Sequence, residues 1–101
     1  MNKEQPILTI SVTARLLGLH PRTLMAYEKV QLISPHRTAT KRRMFTGKDL
    51  DDIQFLKYLS QERKINLAGI KFILEAIRVA QGNDVNLIKA LFPDFRVRAL
   101  L

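Results

Sequence analysis

Residues 10–45 predict a mainly α fold: a helix-turn-helix followed by a two-stranded β wing, with a helix pair and a short C-terminal helix behind it. Three observations carry that expectation. The stretch ISVTARLLGLHPRTLMAYEK holds a short apolar helix pattern, a glycine turn and a proline-started second helix. Leu32 and Ile33 then bring the chain back to the core before Pro35 bars further helix, and HRTATKRRMF is β-compatible at both ends around a polar centre. After the wing, two stripes of apolar residues at helical spacing run to about residue 81.

Taken in order, residues 1–8 form an N-terminal arm that becomes ordered near Ile7. Ser11 is the expected cap of the first helix, whose buried positions are Val12, Leu16, Leu17 and Leu19. Gly18 ends that helix, because glycine enters the left-handed conformation at little cost. Pro21 opens the second, since its missing amide donor is not needed in a first turn. This helix buries Leu24 and turns Arg22, Thr23 and Ala26 outward, small and polar residues that permit a close approach. The wing spans residues 36–45, and its Thr-Ala-Thr-Lys centre lacks the Asn-Gly or Asp-Gly of a tight hairpin, which leaves the turn type open.

Thr46 and Asp49 have the spacing of a capping box and start a third helix with Leu50, Ile53, Phe55, Leu56 and Leu59 on its apolar stripe. Asp49, Asp51 and Asp52 suit the positive end of its dipole. Asn66 is the expected cap of a fourth helix, in which Ile70, Ile73, Leu74 and Ile77 share one face. Phe55, Tyr58 and Phe72 are expected in the core. Gln81-Gly82-Asn83-Asp84 breaks the pattern, and a short helix through Leu87, Ile88 and Leu91 is cut by Pro93. Residues 9–81 thus make one domain and residues 82–101 a short apolar C-terminal segment.

Charge points to a partner. The net charge is +8 and the pI about 10.3 over 101 residues. From Arg15 to Lys48 eight cations face the single acid Glu28, so +7 of the +8 lies there. Such a field attracts a polyanion and releases its condensed counterions. The plainer reading of each cation is a solvated face. Three consecutive cations, Lys41, Arg42 and Arg43, after a helix-turn-helix pattern favour contact with double-stranded DNA, as does Arg22, because arginine can read guanine bidentately from a helix N-terminus. Arg37 belongs to the same basic set.

Other classes are excluded or disfavoured. The absence of cysteine rules out disulfides, thiolate ligands and thiol redox sensing. His20 and His36 lack a second ligand at usable spacing, so no metal or other cofactor is expected. No apolar run nears the roughly 20 residues of a membrane span, and MNKEQP lacks a signal-peptide pattern, so a soluble cytoplasmic, nucleoid-associated protein is expected. No nucleophile-and-base set or Gly-rich phosphate loop is present, which argues against an enzyme.

The ordered set ISVTARLLGL, HPRTLMAYEK, LISPHRT, KRRMF, DLDDIQFLKYL and INLAGIKFILEAI resembles the MerR family of winged-helix transcriptional regulators over about residues 8–80. It is most similar to the family's short branches, the heat-shock-repressor and glutamine-synthetase-repressor types. The resemblance implies a homodimer on a near-palindromic operator, with each second helix in a major groove and each wing on flanking backbone, and a repressor more than an activator. It places Arg15 and Tyr27 at phosphate-contacting positions, Arg22 and Thr23 at the leading end of the recognition helix, and Arg43 at the arginine of the wing pattern Arg-x-Tyr. Met25 stands where the family usually has Arg, Phe45 where it has Tyr, and Thr40-Lys41 where it has Gly-Asn or Gly-Tyr.

The family's long coiled-coil helix has no counterpart in the residues after the fourth helix. Leu87, Ile88, Leu91, Phe92 and Phe95 are therefore the expected contact between two copies, the alternative being that they fold back on the third and fourth helices. Regulation is expected from a protein co-regulator, such as a chaperone or metabolic enzyme, from concentration or from temperature. Two further functions stay open: an architectural DNA-bending, excisionase-like factor, and a module whose basic face binds an acidic protein.

Overall fold

The computed structural model describes residues 2–101. Its elements are β1 (Leu8–Thr9), α1 (Ile10–Leu17), α2 (Pro21–Lys29), β2 (His36–Arg37), β3 (Arg43–Phe45), α3 (Gly47–Gln61), α4 (Leu67–Gln81) and α5 (Leu87–Leu91). The fold is mainly helical, a winged helix with a small antiparallel sheet in the order β1-β3-β2. The chain divides into two compact units, residues up to Gln54 together with Arg98–Leu101, and Phe55–Val97.

In the first unit α1 begins two residues earlier than expected. Thr9, and not Ser11, is its cap: the Thr9 hydroxyl accepts from the Val12 amide at 3.2 Å. Val12 is 42 % exposed and Leu16 and Leu19 are half-buried, so the buried face is Thr13, Ala14 and Leu17 and not the expected set. Thr13 tolerates full burial because its hydroxyl donates to the Thr9 carbonyl at 2.7 Å. Gly18 closes α1 as expected, with φ 67° and its amide returned to the Ala14 and Arg15 carbonyls.

The sheet contains a strand that sequence pattern did not announce. β1 pairs with β3 through Leu8 and Phe45 and through Thr9 and Met44, while β2 pairs with the other edge of β3 through His36 and Met44 and through Arg37 and Arg43. The arm before β1 is tied down: Lys3 reaches Asp51 at 2.6 Å, and its carbonyl accepts from the Lys48 amide. Thr46 and Asp49 form the reciprocal capping box, each side chain accepting from the other's amide at 2.9 Å. Leu8, Ala14, Leu17, Leu24, Tyr27, Phe45, Leu50 and Ile53 are the buried apolar residues of this unit. The C-terminal residues join it through the Gln54 amide, which donates to the Arg98 carbonyl at 2.9 Å and accepts from the Arg98 amide at 2.8 Å.

In the second unit Phe55, Leu56, Leu59, Ile70, Ile77 and Phe92 are buried. Asn66 caps α4 as expected, accepting from the Gly69 amide at 2.9 Å. Phe72 departs from its expected place in the core and is 73 % exposed, because the buried side of α4 is set by Ile70 and Ile77 and Phe72 falls off that stripe. Phe92 and Phe95 pack on Phe55 and Tyr58, with ring centroids 5.1–5.9 Å apart, and the Arg63 guanidinium lies 5.2 Å from the Phe92 ring centre.

Candidate nucleic-acid interface

The geometry of α2 starts at His20. Its imidazole Nδ1 accepts from the Arg22 amide at 3.0 Å, and Pro21 takes the first helical position. This fixes Arg22 and Thr23 in the first turn, where helical amides and the dipole favour an anion. Arg22, Met25 and Lys29 are exposed, while Thr23 and Ala26 are only half-exposed. The outward stripe is therefore Arg22, Met25 and Lys29, at helical spacing, and differs from the expected Arg22, Thr23 and Ala26. Lys29 is a cation of this face that the motif-based reading passed over; its seven-residue offset from Arg22 was the available signal.

Arg15 is exposed on α1. Tyr27 is 3 % exposed and forms part of the core of its unit, so most of its ring is out of reach of a ligand.

The wing turn is held by its own polar groups. Thr38 donates its amide to the Arg42 carbonyl at 3.0 Å, the Lys41 amide donates to the Thr38 carbonyl at 2.9 Å, and the Thr38 hydroxyl accepts from the Arg42 amide at 3.1 Å. Lys41 takes φ 67°, the left-handed conformation that residues other than glycine adopt at a cost. Its side chain and that of Arg42 are exposed at the tip. Among the described residues neither takes part in an ion pair.

Arg37 and Arg43 behave differently. Both reach back to Glu28 on α2: Arg43 Nε donates to Glu28 Oε1 at 2.7 Å, and Arg37 Nη2 donates to Oε2 at 3.0 Å and Oε1 at 3.1 Å. Arg37 Nη1 also donates to the Lys41 carbonyl at 2.9 Å, so one guanidinium bridges α2 and the wing turn. Burial on its own pushes the Glu28 carboxyl up, but the Arg43 hydrogen bond and the charges of Arg43 and Arg37 outweigh it and hold the group below the ordinary glutamate range. The one acid within the basic stretch is thus engaged by two of the eight cations.

The residues expected between two copies are partly committed within the chain. Phe92 is 6 % exposed and Phe95, Leu87 and Ile88 are half-buried, whereas Leu91 is 54 % exposed. Among the described residues no cluster of His, Cys, Asp or Glu could hold a metal ion, and no helix is long and apolar enough to cross a membrane.

Residues 8–77 match the family model described as MerR HTH family regulatory protein. The chain is 44 % identical over 75 residues to the heat shock protein HspR of Streptomyces coelicolor, covering 74 % of this chain and 50 % of that one. It is 33 % identical over 86 residues to the HTH-type transcriptional regulator GlnR of Bacillus anthracis, and equally to that of Bacillus cereus, covering 78 % of this chain and 66 % of each. The chain thus spans half to about two-thirds of the length of these curated relatives.

Proposed function

The chain belongs to the MerR family of helix-turn-helix regulatory proteins, and from that premise we propose that it binds double-stranded DNA sequence-specifically and regulates transcription, as a repressor and as a homodimer on a near-palindromic operator. Arg22 and Thr23 lead α2 into a major groove, with Arg22 donating to guanine. Lys41 and Arg42 neutralise flanking phosphates from the wing tip, Arg15 does so from α1, and any contribution of Tyr27 comes from its hydroxyl, the side chain's one donor. The observation that carries the reading is the pairing of two exposed cationic sites, the first turn of α2 and the wing tip, on elements joined through Glu28.

Two-fold symmetry of the site requires two copies of the helix. Leu91, with the outer edges of Leu87, Ile88 and Phe95, supplies apolar surface for that contact, while Phe92 backs it from inside. A protein co-regulator, such as a chaperone or metabolic enzyme, supplies the regulatory signal.

Selection from random double-stranded DNA, with light scattering at the concentrations used, tests the reading. A discrete near-palindrome bound by a dimer supports it. Phased or asymmetric sites would point to a DNA-bending factor, and no enrichment to a basic module for an acidic protein; either result overturns it.

A further inference from the structure

We propose that Glu28 is the positioning residue of this interface: by holding the guanidinium groups of Arg37 and Arg43 it locks the wing to α2, and it leaves Lys41 and Arg42 as the wing cations that neutralise phosphate. The inference rests on the DNA-binding reading above and divides the basic wing residues into two roles that their sequence does not distinguish.

β1 holds β3, but β2 and the turn are joined to the sheet only through β3. β2 has two residues and β3 three, a hairpin too small to be stable alone. Glu28 meets both strands at neighbouring positions, since Arg37 and Arg43 are cross-strand partners. Its carboxylate receives three donor contacts, and side-chain exposures of 22 % for Glu28 and 26 % for Arg43 shelter the closer pair from solvent screening. Arg37 passes the constraint on to the turn by donating to the Lys41 carbonyl, the residue at whose position the chain turns left-handed. The angle and height of the tip relative to α2 are therefore set from α2 itself.

The electrostatic consequence is a division of labour. The two arginines and one glutamate carry +1 together instead of +2, so the cluster has less condensed-ion exchange to offer a polyanion than two free arginines would have. Lys41 and Arg42 carry their full charge at the exposed tip. Glu28 works through Arg37 and Arg43 and touches no DNA.

The test uses the full chain, the duplex obtained by selection, and binding measured across a series of salt concentrations. Glu28→Gln is expected to lower affinity by roughly tenfold or more, against the gain that the released positive charge alone would give. Lys41→Ala and Arg42→Ala are each expected to flatten the slope of log affinity against log salt by about 0.9. Glu28→Arg should bind more weakly than Glu28→Gln, and adding Arg43→Glu should recover part of the loss by restoring an opposite-charge pair. A DNA-free arm follows hydrogen exchange at Arg43 Nε by NMR: slow in the native chain and fast in Glu28→Gln.

A Glu28→Gln chain that binds more tightly with a steeper salt slope would mean that Glu28 restrains two phosphate contacts, and would overturn the proposal. So would an unchanged affinity, or equal Arg43 exchange in both proteins. If exchange depends on Glu28 but the native chain binds no duplex, the DNA-binding reading fails and only an internal clamp is left.

Discussion

The ring of Phe92 meets that of Phe55 edge to face, with centroids 5.6 Å apart and planes at 69°. Tyr58 adds a second edge contact at 5.9 Å, and the Arg63 guanidinium lies over the Phe92 ring. Phe92→Ala should accordingly lower the unfolding free energy by about 3–5 kcal/mol, as for other large-to-small core changes. Val97→Ala, five residues further on and 50 % exposed, should change it by less than about 0.5 kcal/mol. Urea unfolding compares the two; equal effects would place the Phe92 ring outside the core.

Gly69→Ala should destabilise the chain although alanine is the better helix former by about 1 kcal/mol. A Cβ at this position would stand 2.7 Å from Ile65 Cγ2 and 3.3 Å from Asn66 Oδ1, the oxygen that caps α4. Ile65 Cγ2 yields only by turning χ1, which branching at Cβ makes stiff, or by moving the backbone, at a cost of about 1–3 kcal/mol. A melting temperature above that of the native chain would show that the contact relaxes freely.

Lys41→Gly separates charge from conformation. With φ 67° at this position, glycine removes a strain of about 1–2 kcal/mol but adds unfolded-chain freedom, so thermal stability should hold or rise slightly. DNA affinity should fall, with the salt slope reduced by about 0.9, because one phosphate-neutralising cation is gone. A clear drop in melting temperature, or undiminished binding, would contradict the assignment.

Arg22→Ala tests readout as opposed to neutralisation. The variant should lose about 1–3 kcal/mol of discrimination at one base pair of each half-site while retaining preference elsewhere. Repeating the selection with the variant checks this, and an identical selected motif would remove Arg22 from the reading face.

Glu28 fixes an acid limit for the wing. Its folded-state pKa is depressed below the ordinary value of 4.5, so the stabilisation it gives is fully present above that value and is lost as pH falls through the lower, folded value. Wing resonances of residues 38–42 should therefore keep their native positions down through the usual glutamate range and shift only at lower pH, together with the Glu28 carboxyl signal. A Glu28 midpoint above 4.5 would mean that burial outweighs the two arginines.

The sequence carried the helices, the wing and the Thr46–Asp49 and Asn66 caps because each rests on a local signal: apolar spacing, a proline, a short polar side chain at the right offset. It missed β1, since two residues are too few to show alternation and Leu8 takes its place only from Phe45 across the sheet. Thr9 and Ser11 are both good caps, and pairing of Thr9 in β1 decided between them. For the site, the basic cluster was legible as charge. The separation of Arg37 and Arg43 from Lys41 and Arg42 was not, because it depends on Glu28 meeting residues nine and fifteen positions away. The Phe72 placement failed for a related reason: an apolar residue beside a buried stripe looks the same in sequence whether or not the stripe is wide enough to cover it.

β3 is the middle strand, paired to β1 on one edge and β2 on the other. Its place is therefore secured independently of the turn that precedes it, and Phe45 stays anchored whatever the length of that turn. Residues 39 and 40 bear no strand pairing, and the bonds that a longer tip would break are those of the turn, between the Lys41 amide and the Thr38 carbonyl and between the Thr38 and Thr40 hydroxyls, and not those of the sheet beneath.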